Sequence, residues 1–254
     1  MLKDLTREGW LSILNIPRDR IPRALILRGT RNLKLNYEKH RALFEDILEV
    51  GSPNGIFEDI LIGRYRGVEV AYASVYGDAM ASEVTHVFGV LGTSLVIQTG
   101  CCGALRDDIP AGDIVCAITA HCGEGAAQYY LPGKQTVEVS SELVESLSRD
   151  SVLPVALHKG PIWTTSALLA EGKKEIAEWS ADGYIAVDME TAATFAVAEY
   201  FGMKRLSLLF VFDSPCLGDH VALTDKAKQE RRHAGEQAMT RIALSLIAGS
   251  EGQY

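Results

Sequence analysis

The chain has 254 residues, with 25 Lys and Arg against 33 Asp and Glu, for a formal charge of −8. Hydrophobic residues at 47% and charged residues at 23% are the composition of a globular chain and exclude disordered and fibrous classes. The acidic balance argues against a general nucleic-acid binder, which needs a cationic face to displace counterions. The length suits one α/β domain over residues 1–254. Residues 1–10 (MLKDLTREGW) hold no apolar signal-peptide core, and no stretch reaches the ~20 apolar residues that span a bilayer. A soluble cytoplasmic protein with no membrane contact is expected. The five cysteines include the adjacent pair Cys101 and Cys102, and an odd count does not read as a disulfide framework. Cys116 and Cys122 lack zinc-site spacing, so buried thiols are expected, with no metal and no cofactor.

In chain order, residues 23–28 (RALILR) read as a short strand and 34–49 as a helix. Val68–Val75 (VEVAYASV) reads as a strand, and 79–91 has helical spacing through Met80, Val84, Val87, Phe88 and Leu91, with Gly92 as its stop. Strands follow at 95–99 (LVIQT) and 113–119 (DIVCAIT), then short helices at 140–148 and 172–180. Residues 185–187 lead into a helix over 190–200 closed by Gly202. The run 206–212 (LSLLFVF) is the longest apolar strand candidate, and 224–248 a long C-terminal helix. Apolar strands alternating with helices require a sheet covered on both faces, hence an α/β fold with a parallel or mixed sheet.

Ligands of such sheets bind beyond the carboxyl ends of strands. Three segments qualify: 99–103 (TGCCG), whose residues 100–103 read as a turn after the strand, 187–190 (VDME), and Asp213-Ser214. A carboxyl at the mouth of an apolar strand is partly desolvated, which lets Asp213 hold a proton near neutral pH, or Asp213 caps an Asp-Ser-Pro turn. Glu190 can accept two hydrogen bonds from a ribose diol while the Met189 thioether lies against the sugar, or these acids favour a helix N-terminus. Trp163 can stack on a planar base or belong to the core. His121, His158, His220 and His233 read as structural or surface residues.

Taken in order, the stretches QTGCCGAL…IPAGDIV (98–115), GPIWTTSALL (160–169), AVDMETAATFAVAEYFG (186–202) and SLLFVFDSP (207–215) resemble the nucleoside phosphorylase superfamily. That superfamily includes purine nucleoside phosphorylase, uridine phosphorylase and the methylthioadenosine/S-adenosylhomocysteine nucleosidases. The resemblance implies a three-layer αβα fold with a central mixed, partly barrel-like sheet, and a homo-oligomer built from dimers. Carried over by position, it implies that Glu190 binds the ribose hydroxyls, Met189 lies against the sugar, and Asp213 protonates a purine at N7. It also implies that Trp163 covers the base and that Cys102 and Gly103 line the base pocket.

The phosphate site of phosphorolytic members departs from pattern. Gln98 and Cys101 stand where an arginine and a hydroxyl are expected, and Leu33, in Gly29-Thr30-Arg31-Asn32-Leu33, stands where another arginine is expected. Ile56 aligns near the arginine that a neighbouring subunit supplies. Each lost charge-assisted donor costs on the order of 1.5–3 kcal/mol. Gly29, Gln98 and Cys101 thus mark a candidate anion or water site, with Arg28, Arg31 and Lys34 close by in sequence. The expectation is cleavage of the N-glycosidic bond of a purine nucleoside, with hydrolysis favoured over phosphorolysis. The alternatives are a phosphate-dependent purine or uridine phosphorylase with a rebuilt anion site, and a non-catalytic nucleoside-binding protein. For a hydrolase, Asp78, Glu124 and the substrate itself are candidates to activate water.

Overall fold

A computed structural model describes residues 1–147, 154–220 and 225–249. The strands are β1 (Ala24–Gly29), β2 (Glu45–Glu49), β3 (Ile60–Tyr65), β4 (Val68–Val75), β5 (Leu95–Ala104), β6 (Ile114–Gly123), β7 (Thr136–Glu138), β8 (Leu157–Thr165), β9 (Ala186–Asp188) and β10 (Lys204–Asp213). The helices are α1 (Arg7–Ile13), α2 (Leu33–Arg41), α3 (Gly77–Leu91), α4 (Ser141–Ser146), α5 (Lys173–Ala181), α6 (Thr191–Tyr200) and α7 (Lys226–Gly249).

The side-chain period of two on each strand builds two cores at once. On β1, Ala24 and Ile26 face one helix layer while Leu25 and Leu27 face the other. On β4, Val70 and Tyr72 point one way and Ala71, Ala73 and Val75 the other. Residues of α2 and α7 complete the first core, and residues of α1 and α3 the second. A third core, lined by Val115, Ala117, Leu209 and Val211, takes in Ala192, Phe195 and Ala196 of α6. Because α6 is surrounded, it is apolar on all sides rather than amphipathic.

The sheet is mixed and partly closed. β5 pairs in parallel with β1 and β10, β10 runs antiparallel to β6, β6 and β8 are parallel, and β9 joins β8 back to β5. Strands β5, β10, β6, β8 and β9 therefore form a closed ring, from which β1, β4, β3 and β2 extend as an open wing. Among the described residues no helix is long and apolar enough to cross a membrane.

Several expected elements change. The helix expected over 34–49 stops at Arg41, and Glu45–Glu49 forms β2, antiparallel to β3. The spacing of Phe44, Ile47 and Leu48 suits either period, and pairing with β3 decides it. The expected turn at 100–103 is part of β5, because β10 pairs along it as far as Gly103 and β9 pairs with Gly103 and Ala104. Strands β3 and β8 have no counterpart in the sequence pattern. The helix stop at Gly92 adopts the left-handed conformation, φ 92°. Residues 148 and 224, at the ends of two expected helices, lie outside the described residues.

Candidate active site

The carboxyl ends of β1, β9 and β10 and the last turn of β5 surround a cavity of about 610 Å³, within the usual range for small-ligand sites. Gly29, Cys101, Cys102, Gly103, Met189, Glu190 and Asp213 all line it.

Asp213 closes β10 opposite Gly103, after a register shift between Val211 and Asp213. That irregularity lets successive residues turn toward the cavity mouth. A Cβ on Gly103 would meet Asp213 Oδ1 at 3.2 Å and Pro215 Cγ at 3.0 Å, so the glycine admits the carboxyl. Asp213 is 5% exposed, and burial, reinforced by Asp219, pushes its pKa up to about 6, against Arg232, Lys228 and His220. The Asp-Ser-Pro turn does not consume it: the Ser214 N–H donates to Asp219 Oδ2 instead, at 3.3 Å.

The two acids of the β9–α6 junction divide their labour. Asp188 accepts hydrogen bonds from Thr164 Oγ1 at 2.7 Å and from the Thr191 N–H and Oγ1 at 2.8 and 2.5 Å, so it caps α6. Glu190 turns the other way. Its Oε1 accepts from the Gly77 N–H at 2.8 Å, an amide aimed at it because Gly77 opens α3 with φ 80°. Its Oε2 packs on Gly29. Burial, then the charge of Asp188, raises the Glu190 pKa, and Arg28 works against both. Met189, half-buried, lies between them on the cavity wall.

The candidate anion site is divided. Gln98 lies behind Gly29, off the cavity wall: its Nε2 donates to the Thr99 carbonyl at 3.1 Å and its Oε1 accepts from Thr194 at 3.0 Å. Its amide is consumed by the fold. Cys101 opens onto the cavity rather than into the core, and burial of the strand end lifts its thiol to about 11. Leu33 and Ile56 are off the wall, Ile56 on an exposed loop. Arg28 and Arg31 line the cavity. Arg28 is buried and donates to Glu236 at 2.8 Å and Asn36 at 3.4 Å, while Arg31 lies over the Tyr76 ring at 4.8 Å. Lys34 instead pairs with Glu38 and Asp59, outside the wall.

Trp163 does not line the cavity. Its indole is stacked between His121, at 4.1 Å, and Trp179, at 5.0 Å, with Tyr184 against its edge. Asp78 accepts from Ser166 at 3.2 Å and Glu124 from the Ala127 N–H at 3.1 Å, and neither reaches the wall. Cys102 does, with its thiol donating weakly to the Phe210 carbonyl.

Sequence reasoning missed one whole wall. Gln229, Arg232, His233 and Glu236 of α7 line the cavity, so His233 is not merely a surface residue. The spacing of these polar residues on one face of a long helix was the available signal. Tyr76, Leu168, Glu171 and Phe212 also line it.

The family model described as the phosphorylase superfamily matches residues 34–248. The chain belongs to the phosphorylase superfamily. Curated relatives include DeoD-type purine nucleoside phosphorylases from Colwellia psychrerythraea, 27% identical over 73% of this chain and 78% of that one, and Alkaliphilus metalliredigens, 26% identical over 72% and 78%. Uridine phosphorylase from Vibrio fischeri aligns with a TM-score of 0.77 at 18% identity, over 93% of this chain and 96% of that one. Purine nucleoside phosphorylase from Toxoplasma gondii in complex with immucillin-H gives 0.77 at 18%, over 95% and 96%. At such identity these two structures speak for the fold, while the family match makes the chain an enzyme of this superfamily.

Proposed function

We propose that this superfamily member cleaves the N-glycosidic bond of a purine nucleoside. The observation that carries the reading is two buried carboxyls, Asp213 and Glu190, at the ends of β10 and β9 on either side of β5 in one cavity, with Glu190 held by the Gly77 amide. Scission builds positive charge on the ribose and negative charge on the base. Asp213, whose burial favours the protonated form, donates to the base at N7 as that charge develops. Glu190, fixed by the Gly77 amide, accepts from the ribose hydroxyls. Met189 supplies an apolar surface for the sugar.

Water is the acceptor that the charges favour. Three arginines, Arg28, Arg31 and Arg232, line the cavity. Arg28, the buried arginine nearest Gly29, already has a counter-ion in Glu236. A phosphate dianion would have to displace that carboxylate. The second reading, phosphorolysis, has its own support: the curated relatives are named phosphorylases, and Arg28 and Arg31 both border the cavity. A product-resolved assay with and without phosphate separates them. Free base and ribose, released at a rate independent of phosphate, support hydrolysis; ribose 1-phosphate and a phosphate-dependent rate sink it. A homo-oligomer built from dimers, which the family resemblance implies, is tested by sedimentation velocity.

A further inference from the structure

Glu171 is a carboxyl that the mechanism leaves unused. It follows the short 3-10 helix Leu168–Ala170 and lines the same cavity as Asp213. Its Oε1 is sealed from solvent and has no hydrogen-bond partner among the described residues. A buried carboxyl oxygen without a partner is expensive, and native structures rarely retain one without a use. The backbone around it is otherwise satisfied, because the Glu171 N–H donates to the Leu168 carbonyl. The backbone therefore fixes where the residue sits, while among the described residues Oε1 is left without a partner. Because Glu171 lines the cavity, an occupant is placed to supply that partner.

The position says which part of that occupant. Helix α5, which begins just after Glu171, packs against the 3-10 turn Pro215–Leu217 that follows Asp213. The two carboxyls are close enough that the charge of Asp213 adds to burial in pushing the Glu171 pKa up to about 7. Glu190, by contrast, is held by Gly77 and packs on Gly29. On the reading given above, that end takes the ribose and the Asp213 end takes the base. We propose that Glu171 is a base-specificity residue, its carboxyl accepting a hydrogen bond from an N–H on the edge of the leaving heterocycle. A site built to pair with an N–H rejects an analogue that lacks one, because its own buried oxygen is then left unpaired. The inference rests on the nucleoside-cleavage reading only for the assignment of the two ends.

The test is a comparison of parent and N-methylated ligands in wild type, Glu171→Leu and Glu171→Gln. Hypoxanthine is paired with 1-methylhypoxanthine and adenine with N6,N6-dimethyladenine, as free bases by titration calorimetry and as nucleosides by kcat/KM. In wild type, methylation is expected to cost roughly tenfold or more for at least one pair. In Glu171→Leu that penalty should shrink to within about twofold, the comparison cancelling the bulk of the methyl group. Glu171→Gln, which still presents an acceptor of the same shape, should retain most of it. An equal penalty in wild type and Glu171→Leu for both pairs overturns the proposal, as does a wild type that binds neither base. Failure of the cleavage reading looks different: wild type binds a base and shows the Glu171-dependent penalty, yet turns over no nucleoside.

Discussion

Gly29 and Glu190 are packed so closely that a Cβ on Gly29 would stand 2.6 Å from Glu190 Oε2. Real side chains do not tolerate that approach, and the displaced atom belongs to the carboxylate proposed to hold the ribose. Gly29→Ala is therefore expected to raise KM for the nucleoside by about tenfold or more, the equivalent of losing roughly one charge-assisted hydrogen bond. Since Glu190 Oε1 remains available to the Gly77 amide, the fold should survive. Unchanged KM in a folded Gly29→Ala enzyme would show that Oε2 does not meet substrate.

Asp213 ties activity to pH in a direction that follows from its burial. The protonated acid is the active form, so kcat/KM should fall as pH rises through about 6, where the group ionises in the free enzyme. Asp213→Asn should cut kcat by about a hundredfold or more, change KM far less, and abolish this limb of the profile. Stability moves in the same direction. With the folded pKa raised from 3.8 to about 6, the favourable contribution of Asp213 is complete below 3.8 and is lost as pH rises through 6. Removing the titration should then make Asp213→Asn more stable than wild type above pH 6, by at most about 3 kcal/mol. Denaturant melts at pH 5 and pH 8 check the sign, and a wild type that gains on the variant as pH rises would refute it.

The contrast between Asp213 and Trp163 explains what could be read in advance. Asp213 terminates a local pattern, an apolar strand ending in an acid, and burial of that strand fixes its surroundings. The partition between Asp188 and Glu190 depends on Gly77, more than a hundred residues away, and spacing within VDME cannot decide it. Trp163 lies on β8, a strand with weak periodicity whose neighbours β6 and β9 assemble only through long-range pairing. The α7 wall was missed for a related reason. Gln229, Arg232, His233 and Glu236 look like the solvated face of a helix until Arg28 is brought against them.

Arg28 and Glu236 make the next prediction. The pair is buried, with side-chain exposures of 5% and 15%, and Glu236 is also held by Lys39 at 2.5 Å. Arg28→Ala leaves Glu236 with the more exposed lysine alone, and should lower stability by about 3 kcal/mol in urea titrations. Glu236→Gln does the reverse, leaving Arg28 without its counter-ion. Phosphate or sulfate should then bind at least about tenfold tighter than to wild type by calorimetry. Anion affinity that does not change would mean that Glu236 is not what keeps the arginine occupied.

Trp163 separates packing from recognition. Its indole is held on both faces, by His121 and Trp179, and its edge meets Tyr184, while Tyr184 Oη lies 3.1 Å from His121 Nδ1. All four rings are half-buried, so the stack is a surface-closing cluster rather than a fully enclosed core. Replacing the central ring with leucine removes two aromatic contacts and part of the buried area. Trp163→Leu should therefore cost about 2–3 kcal/mol in thermal or urea unfolding. Because the residue stands off the cavity wall, KM for the nucleoside should stay within about twofold of wild type, measured well below the lowered Tm. Trp163→Phe should recover much of the stability by keeping a ring between its neighbours. A tenfold rise in KM with little loss of stability would reverse the assignment and return Trp163 to the base.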